Sequence, residues 1–137
     1  MKLQKKILFR SGLEERIAQQ LKKLGVPVSY ETFTIRYLRP AKNSRYTPDF
    51  VLPNGIVIEA KGRFLTKDKE KHLSVKAQYP AIDIRFVFSN PNQRISKISK
   101  TTYAKWCQTN GFKYAKETIP KEWIAEADVR PKKPSVD

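Results

Sequence analysis

The sequence contains little cysteine and no long apolar segment. Cys107 is the only cysteine in 137 residues, which excludes an internal disulfide and a cysteine-rich zinc site. Because Cys107 lies at helical spacing from Tyr103 and Trp106, we expect it to be a buried structural thiol. No apolar run approaches the roughly 18 residues that a membrane-spanning helix needs, and the apolar stretch at residues 7–9 is too short for a secretory signal peptide. These absences predict a cytoplasmic protein without a membrane partner.

Acidic residues are also scarce relative to basic ones. The 28 Lys and Arg residues against 13 Asp and Glu residues give a formal net charge of +15 at pH 7. This excess favours a polyanionic partner, and nucleic acid is a better candidate than an anionic membrane. A chain of 137 residues with 39% hydrophobic residues is long enough for one domain with a real core. We assign residues 1–125 to that domain and expect residues 126–137, which contain Pro131 and Pro134, to form a loose tail.

The hydrophobic pattern predicts an α/β fold. A capping-box pattern at Ser11 and Glu14 begins the first helix, which ends at Gly25. The apolar stripe of this helix consists of Leu13, Ile17, Leu21 and Leu24. The elements expected after it are one or two strands at 28–38, a linker or extended bridge at 39–45, a hairpin at 46–61, a charged helix at about 67–78, a buried strand at 82–88, and helices at 101–110 and 119–124. On the charged helix, Leu73 and Ala77 are expected to face inward. This order corresponds to helices packed around a small mixed sheet.

The hairpin carries three charged residues whose register decides whether they meet. A two-residue turn would place Asp49 opposite Ala60, whereas a three-residue turn at residues 53–55 places Asp49 opposite Glu59. The longer turn suits the fixed φ of proline at its start and the freedom of glycine at its end. It also separates a charged face from an apolar one, because side chains alternate along each strand. We therefore predict that Asp49, Glu59 and Lys61 share one face. The opposite, apolar face is then formed by Phe50, Leu52, Ile56, Ile58 and Ala60.

Two facing carboxylates repel each other and require a compensating cation. Lys61 supplies part of that charge, and a divalent metal would supply more. Ligands that are all oxygen suit Mg²⁺, or Mn²⁺ in its place, and a metal-bound water is a nucleophile for phosphodiester hydrolysis. Lys61 would orient or deprotonate that water, or stabilise the charge that develops on the phosphate. The alternative interpretation is a surface hairpin with a solvated charged face and a salt bridge.

Several separate motifs occur in the order found in one known family. They are residues 10–14 (RSGLE), 46–50 (YTPDF), 52–56 (LPNGI), 59–62 (EAKG), 71–73 (KHL), 83–85 (DIR), 87–89 (VFS), 119–120 (IP) and 122–124 (EWI). With them the chain resembles the endonuclease I family of T-seven-like bacteriophages, which resolves four-way DNA junctions. The resemblance extends over roughly residues 9 to 125, and both terminal segments are shorter than in the family.

The resemblance implies a restriction-endonuclease-like core that acts on branched DNA as a homodimer, with two Mg²⁺ ions in each active site. The protomers are expected to exchange segments through an extended bridge at about residues 38–46. The metal-binding carboxylates of the family correspond to Asp49 and Glu59, with the carbonyl of Ala60 near a metal. The catalytic lysine corresponds to Lys61. A helix-borne glutamate corresponds to Glu14, which in an exchanged dimer would complete the site formed by the partner's hairpin.

Glu14 has two competing explanations. It is the third helical residue after Ser11, where a glutamate reaches back to cap its own helix. The resemblance implies instead that its carboxylate serves the metals, directly or through water. One carboxylate cannot fully satisfy both roles.

The basic residues predict where DNA binds. Arg10 and Arg16, close to Glu14, are candidate phosphate ligands. The charged helix and the residue before it form the main candidate surface, with Arg63, Lys67, Lys69, Lys71, His72 and Lys76. His72 is the only histidine, and we interpret it as a surface or phosphate contact rather than a general base. A solvated helix face remains the simpler explanation for any single lysine.

Two functions of different classes fit these observations. The first is a Mg²⁺-dependent endonuclease that resolves four-way and other branched DNA by paired nicks and leaves 5′-phosphates, the last detail being implied by the resemblance. A related duplex endonuclease of the restriction or transposase type is its rival within the same class. The second is a non-catalytic basic nucleic-acid-binding domain whose acidic pair is structural.

Overall fold

The helices and strands follow the order that the hydrophobic pattern predicts, with the additional strands β3 and β7. This computed structural model describes residues 11–31, 34–39 and 42–130, so Arg10 and residues 131–137 of the predicted tail lie outside the described residues. The described part of the tail, residues 126–130, is not loose, because the Val129 N–H donates to the Asn54 carbonyl and Glu126 pairs with Arg85. The elements are α1 (Gly12–Lys23), β1 (Ser29–Tyr30), β2 (Ile35–Arg39), β3 (Lys42–Tyr46), β4 (Phe50–Val51), β5 (Val57–Lys61), α2 (Thr66–Gln78), β6 (Ile84–Phe88), α3 (Tyr103–Asn110), β7 (Lys113–Lys116) and α4 (Lys121–Ala125). Among the described residues, none of the helices has the length and apolar character needed to cross a membrane.

A mixed sheet forms the centre of the fold. Its five strands lie in the order β1-β4-β5-β6-β7, while β2 and β3 form a separate two-stranded sheet. The pairs β1-β4 and β4-β5 are antiparallel, and β5-β6 and β6-β7 are parallel. Parallel strands are normally covered on both faces, and every residue of β6 is buried. The predicted α/β class with a small mixed sheet is therefore confirmed.

Helix α1 covers one face of this sheet. Ser11 Oγ accepts a hydrogen bond from the Glu14 N–H at 3.1 Å, so the predicted N-cap is confirmed. The buried stripe of Leu13, Ile17 and Leu21 packs in one cluster with Phe50 and Ile58 of the hairpin. The prediction for Leu24 was wrong, because this residue is the C-cap of α1 and its side chain is 44% exposed.

The other face carries an aromatic core beneath α2 and α3. Phe64, Phe86 and Trp106 contact one another there, with ring centroids 4.8 to 6.4 Å apart. Cys107 belongs to the same cluster and is fully buried. Burial raises the pKa of its thiol to about 12, so the group stays protonated at neutral pH. The predicted structural thiol is confirmed.

Helix α2 is oriented opposite to the sequence-based prediction. Leu73 is 39% exposed and Ala77 is exposed, whereas Lys69, His72 and Val75 are buried. The prediction that Leu73 and Ala77 face inward was wrong. The reason is that α2 packs over a partly polar surface that contains Glu59, so its inward side chains must include polar groups.

The strands β3 and β7 were not predicted because neither has an alternating apolar pattern. Strand β3 is polar and basic, and it forms by antiparallel pairing with β2, from Ile35 opposite Tyr46 to Arg39 opposite Lys42. Residues 40 and 41 of the expected bridge lie outside the described residues. The described residues of the expected linker therefore fold back on β2 within one chain instead of forming an extended bridge. Exchange of this segment between two chains stays a prediction, and it would require this pairing to open or to form between chains. Strand β7 joins the sheet by parallel pairing with β6.

Candidate active site

The turn at residues 53–55 produces the predicted register. The Gly55 N–H donates to the Leu52 carbonyl at 2.9 Å, and the Leu52 N–H donates to the Ile56 carbonyl at 2.9 Å. Gly55 has φ +89°, a left-handed conformation in which glycine is unstrained. Phe50 pairs with Ile58, which places Asp49 opposite Glu59 one step along the ladder. The three-residue turn is therefore confirmed.

The two faces of the hairpin separate as predicted, but the charged face is not solvated. The apolar face packs with α1 in one core cluster. On the other face, Asp49 is 6% exposed and Glu59 is 2% exposed, while the Lys61 side chain is 17% exposed. The alternative of a solvated surface hairpin does not agree with this burial. Two carboxylates removed from water at adjacent positions are costly unless hydrogen bonds or positive charges compensate them.

Each carboxylate accepts a hydrogen bond from the backbone of the opposite strand. The Asp49 N–H donates to Glu59 Oε2 at 2.9 Å, and the Ala60 N–H donates to Asp49 Oδ2 at 3.0 Å. These reciprocal bonds hold both side chains across the β4–β5 ladder. They position the acidic pair rigidly, because a change in strand register would break both bonds at once.

Burial disfavours two negative charges at this place. Burial, reinforced by the charge of Glu59, raises the pKa of Asp49 to about 7. Burial also raises the pKa of Glu59, against the opposing effect of Lys61. A bound cation relieves this cost by favouring the ionised form of both groups. The donor set consists of hard carboxylate oxygens, which fits Mg²⁺ or Mn²⁺.

Tyr46 and His72 form a wall beside Glu59. The His72 side chain is fully buried, and its Nε2 lies 3.3 Å from Glu59 Oε1 without the geometry of a hydrogen bond. Both ring nitrogens of His72 are buried without a hydrogen-bond partner, and the Tyr46 hydroxyl is buried where Glu59 interacts with it. Burial lowers the pKa of His72 well below its usual value, and Lys61 and Lys71 add to the shift, so the imidazole is neutral. Unsatisfied polar atoms around a carboxylate pair fit a site that takes up further polar ligands.

The interpretation of His72 as a surface residue was wrong, because its side chain is fully buried, whereas its contact with a phosphate stays a prediction. Its ring packs edge-on against Tyr46 and Phe86, with centroids 5.1 and 4.9 Å away. One signal in the sequence was available, since His72 precedes Val75 by three residues and therefore shares its helix face. Only the packing of α2 against Glu59 decides that this face is the buried one.

Asp68 is a residue of the site that the sequence analysis missed. Its Oδ1 lies 3.5 Å from Lys61 Nζ, and its Oδ2 accepts the Leu65 N–H at 3.0 Å at the start of α2. Burial tends to raise the pKa of Asp68, but the charge of Lys61 and the bond from Leu65 outweigh it and the pKa is lowered. Asp68 thus remains charged and links the ammonium of Lys61 to the helix terminus.

Glu14 lies on the side of the sheet that α1 covers. Its side chain is 5% exposed and accepts hydrogen bonds from Ser11 Oγ and from Tyr30 Oη. The Tyr30 ring packs 5.1 Å from Phe50, which belongs to the apolar face of the hairpin. Within the described part of one chain, no group of three or more His, Cys, Asp and Glu side chains is arranged to hold a metal. A single chain therefore contributes the Asp49–Glu59 pair to the candidate site. That Glu14 binds metals in the site of a partner chain stays a prediction.

The residues predicted to bind DNA do not form one surface. Arg16, Arg63 and Lys67 are exposed, as a phosphate contact requires. Lys69 is buried, donates to the Phe64 carbonyl at 3.0 Å and lies over the Phe64 ring. Two further lysines have partners inside the chain: Lys71 lies over the Tyr46 ring, and Lys76 donates to the Gly111 carbonyl. Lys69 and His72 are thus buried within one chain, and their contacts with DNA stay predictions.

Replacing Asp49 by asparagine is expected to stabilise the metal-free protein, and increasingly so as the pH rises. The folded-state pKa of about 7 lies above the ordinary aspartate pKa of 3.8, so ionisation between these pH values opposes folding. The variant retains an acceptor for the Ala60 N–H but carries no charge. The difference in unfolding free energy should grow from pH 4 to pH 7 and then level off, reaching at most about 4 kcal/mol at about 1.4 kcal/mol per pKa unit.

Urea denaturation in EDTA at several pH values measures this difference. The titration of His72 is common to both proteins, so it largely cancels in the comparison. Glu15→Gln, at an exposed position of α1, is the matched control and should show no growth with pH. A stability difference for Asp49→Asn that does not change between pH 4.5 and pH 8 would contradict the assignment.

Comparison with known proteins extends these observations. A family model described as phage endonuclease I matches residues 1–135. Over 118 residues the chain is 46% identical to Endonuclease I of Escherichia phage T7, an alignment that covers 86% of this chain and 79% of that protein. It is 43% identical over 118 residues to Endodeoxyribonuclease 1 of Enterobacteria phage T3, covering 86% of this chain and 78% of that protein.

Proposed function

The chain belongs to the phage endonuclease I family, and on that premise we propose that it is a Mg²⁺-dependent DNA endonuclease that resolves four-way junctions and other branched DNA. It cuts by paired nicks and leaves 5′-phosphates. The observation that carries the proposal is the buried Asp49–Glu59 pair with Lys61 on the same face. A structural hairpin gains nothing from two buried carboxylates whose pKa values are raised, whereas a phosphodiesterase needs them to hold a cation.

The residues present fit a divalent metal. Asp49 and Glu59 would hold Mg²⁺, or Mn²⁺ as a substitute, together with the carbonyl of Ala60 and, in a dimer, Glu14 of the other chain. When bound, such ions supply an activated water and neutralise charge on the phosphate. Two ions in each site agree with the number of carboxylates assembled in this way.

The residues of this chain then have separate tasks. The reciprocal backbone bonds keep the two carboxylates at a constant separation as the substrate binds. Lys61, held by Asp68, would direct its ammonium group towards the reacting phosphate, where it orients the attacking water or stabilises the developing charge. His72 stays neutral and excludes bulk water from Glu59.

Paired nicks require two sites related by symmetry. We place the chain in a homodimer with a restriction-endonuclease-like core in each half and exchange through the bridge at about residues 38–46. A two-fold axis relates the sites and matches the opposing strands of a junction. Selection would come from branch shape and backbone geometry, supported by the net charge of +15.

Cleavage of matched substrates tests the proposal. We expect purified protein with Mg²⁺ to cut a labelled four-way junction at least tenfold faster than a linear duplex of the same sequence, and not to cut in EDTA. Equal rates on junction and duplex would favour the duplex endonuclease. Binding without cleavage by any divalent ion would favour the non-catalytic domain.

A further inference from the structure

A cleft of about 530 Å³ opens beside the carboxyl ends of β5 and β6. One wall follows β5 and begins at Arg63, two residues after Lys61, and the other wall follows β6. Its lining comes from Arg63, Phe64, Leu65 and Thr66 on one side and from residues 93–97 and Tyr103 on the other. Parallel strands bring their carboxyl ends to the same edge of a sheet, where α/β folds bind their ligands. The cleft is therefore next to the candidate active site but formed by other residues.

The chemistry of the cleft fits a sugar–phosphate backbone. Arg63, Arg94 and Lys97 lie on its rim, and no carboxylate among the described residues forms an ion pair with them. The chain has no aspartate or glutamate between Asp83 and Glu117, so the wall formed by residues 93–97 contributes only positive charge, while the nearby Asp68 carboxylate is occupied by the Leu65 N–H and Lys61. The rest of the lining, which we call the floor, is less polar: Phe64 and Tyr103 are buried, Ile95 is half-buried and Leu65 is 46% exposed.

The second wall belongs to a closed loop, residues 93–103, which we call the 93–103 loop. The Ile95 N–H donates to the Thr101 carbonyl at 2.8 Å, and the Tyr103 N–H donates to the Gln93 carbonyl at 2.9 Å. Two serine hydroxyls, of Ser96 and Ser99, accept backbone N–H groups inside the tip. These bonds hold the loop as a projecting hairpin.

Ile98 is at the tip of this loop and is 96% exposed. Lys97 and Lys100 lie on either side of it in sequence. An apolar side chain on a rigid projection flanked by cations resembles the wedges by which proteins enter a DNA groove and contact sugars and base steps.

We propose that this cleft binds the backbone of a DNA strand of the branched substrate, and that Ile98 enters the adjoining groove. The inference rests on the proposed nuclease function and names a further part of its substrate site. Arg63, Arg94 and Lys97 contact phosphates, while the apolar floor packs against deoxyribose. Because Arg63 follows Lys61 closely, the bound strand continues towards the reacting phosphate.

The double variant Arg94→Ala/Lys97→Ala tests the phosphate contacts. Binding of a fluorescent four-way junction is measured without divalent ions over a range of salt concentrations. The slope of log affinity against log salt should fall by about 2, and the affinity at 0.1 M salt should fall roughly 50-fold. The reason is that each DNA phosphate that is no longer contacted keeps its counterions on binding. Lys23→Ala/Lys121→Ala removes the same charge at exposed positions elsewhere and should stay within about threefold of the wild type, since salt screens distant charges.

The variant Ile98→Ser tests the insertion. We expect roughly tenfold weaker junction binding with an unchanged salt slope, because an apolar contact is lost and no phosphate contact is removed. Leu24→Ser, at another exposed apolar position, is the matched control and should bind like the wild type. With Mg²⁺, both test variants should raise KM and leave kcat within about twofold.

The outcomes separate this inference from the proposed function. If the wild type neither binds nor cuts the junction, the proposed function fails. If the wild type cuts but the Arg94/Lys97 variant retains its affinity and salt slope, the cleft assignment alone is overturned. Wild-type affinity of Ile98→Ser overturns the insertion into the groove.

Discussion

Replacing Lys61 by alanine should slow junction cleavage by about 10²- to 10³-fold, while junction binding changes by less than about threefold. The range is that found when one group that stabilises transition-state charge is removed. Lys61 shares a face with Asp49 and Glu59 and is held by Asp68. Its ammonium therefore stabilises the transition state more than the ground-state complex. The substitution should accordingly lower kcat rather than raise KM.

Single-turnover cleavage at saturating protein measures this effect directly. Lys121→Ala, at an exposed position of α4, removes the same charge and should cut at the wild-type rate. Thermal unfolding checks that both variants fold. If Lys61→Ala cleaves at the wild-type rate, Lys61 has no role in the chemical step. If its affinity for the junction falls by the same factor as its cleavage rate, Lys61 contributes to DNA binding instead.

The second large effect is the recovery of activity when two inactive variants are mixed. In an exchanged dimer each site takes Glu14 from one chain and Asp49, Glu59 and Lys61 from the other. Glu14→Gln and Lys61→Ala should each be nearly inactive alone. A mixed dimer has one site with both substitutions and one site with neither, so it nicks one strand of the junction.

Unfolding and refolding an equal mixture makes about half of the dimers mixed by random pairing, which restores about a quarter of the wild-type sites. The expected product is a nicked rather than a resolved junction, and denaturing gels distinguish the two. The glutamine in Glu14→Gln retains an acceptor for Tyr30, so the fold should be preserved. If the mixture stays as inactive as its components, the shared site is wrong and Glu14 is left with its role at the start of α1.

The hairpin register was predictable because all of its causes are local. Proline and glycine at defined turn positions select a three-residue loop, and the alternation of Phe50 and Ile58 with Asp49 and Glu59 selects the same register. The cap at Ser11 and the buried thiol of Cys107 were predictable for the same reason. In each case a pattern within a few residues gives the prediction, although the side chains that bury Cys107 include distant ones such as Phe64 and Phe86.

The orientation of α2 was not predictable in this way. Its sequence has few apolar residues, so the choice between the Leu73 face and the His72 face depends on what the helix meets. It meets Glu59 on the preceding strand β5 and Phe86 on the following strand β6, so its orientation depends on how these strands assemble into the sheet. Strands β3 and β7 depend likewise on pairing with β2 and β6 rather than on their own composition.

Asp49, Glu59 and Lys61 could be assigned to one face of a hairpin, opposite an apolar face, from the amino-acid order alone, because turn chemistry and side-chain alternation act within a short segment. The packing of the folded chain was needed to show that this face is buried beneath Tyr46 and His72, that Asp68 holds the lysine, and that a basic cleft lies beside them. Those features arise where β5, α2 and the loop after β6 converge. Contacts between distant segments depend on how the whole sheet packs, and a local pattern does not contain that information.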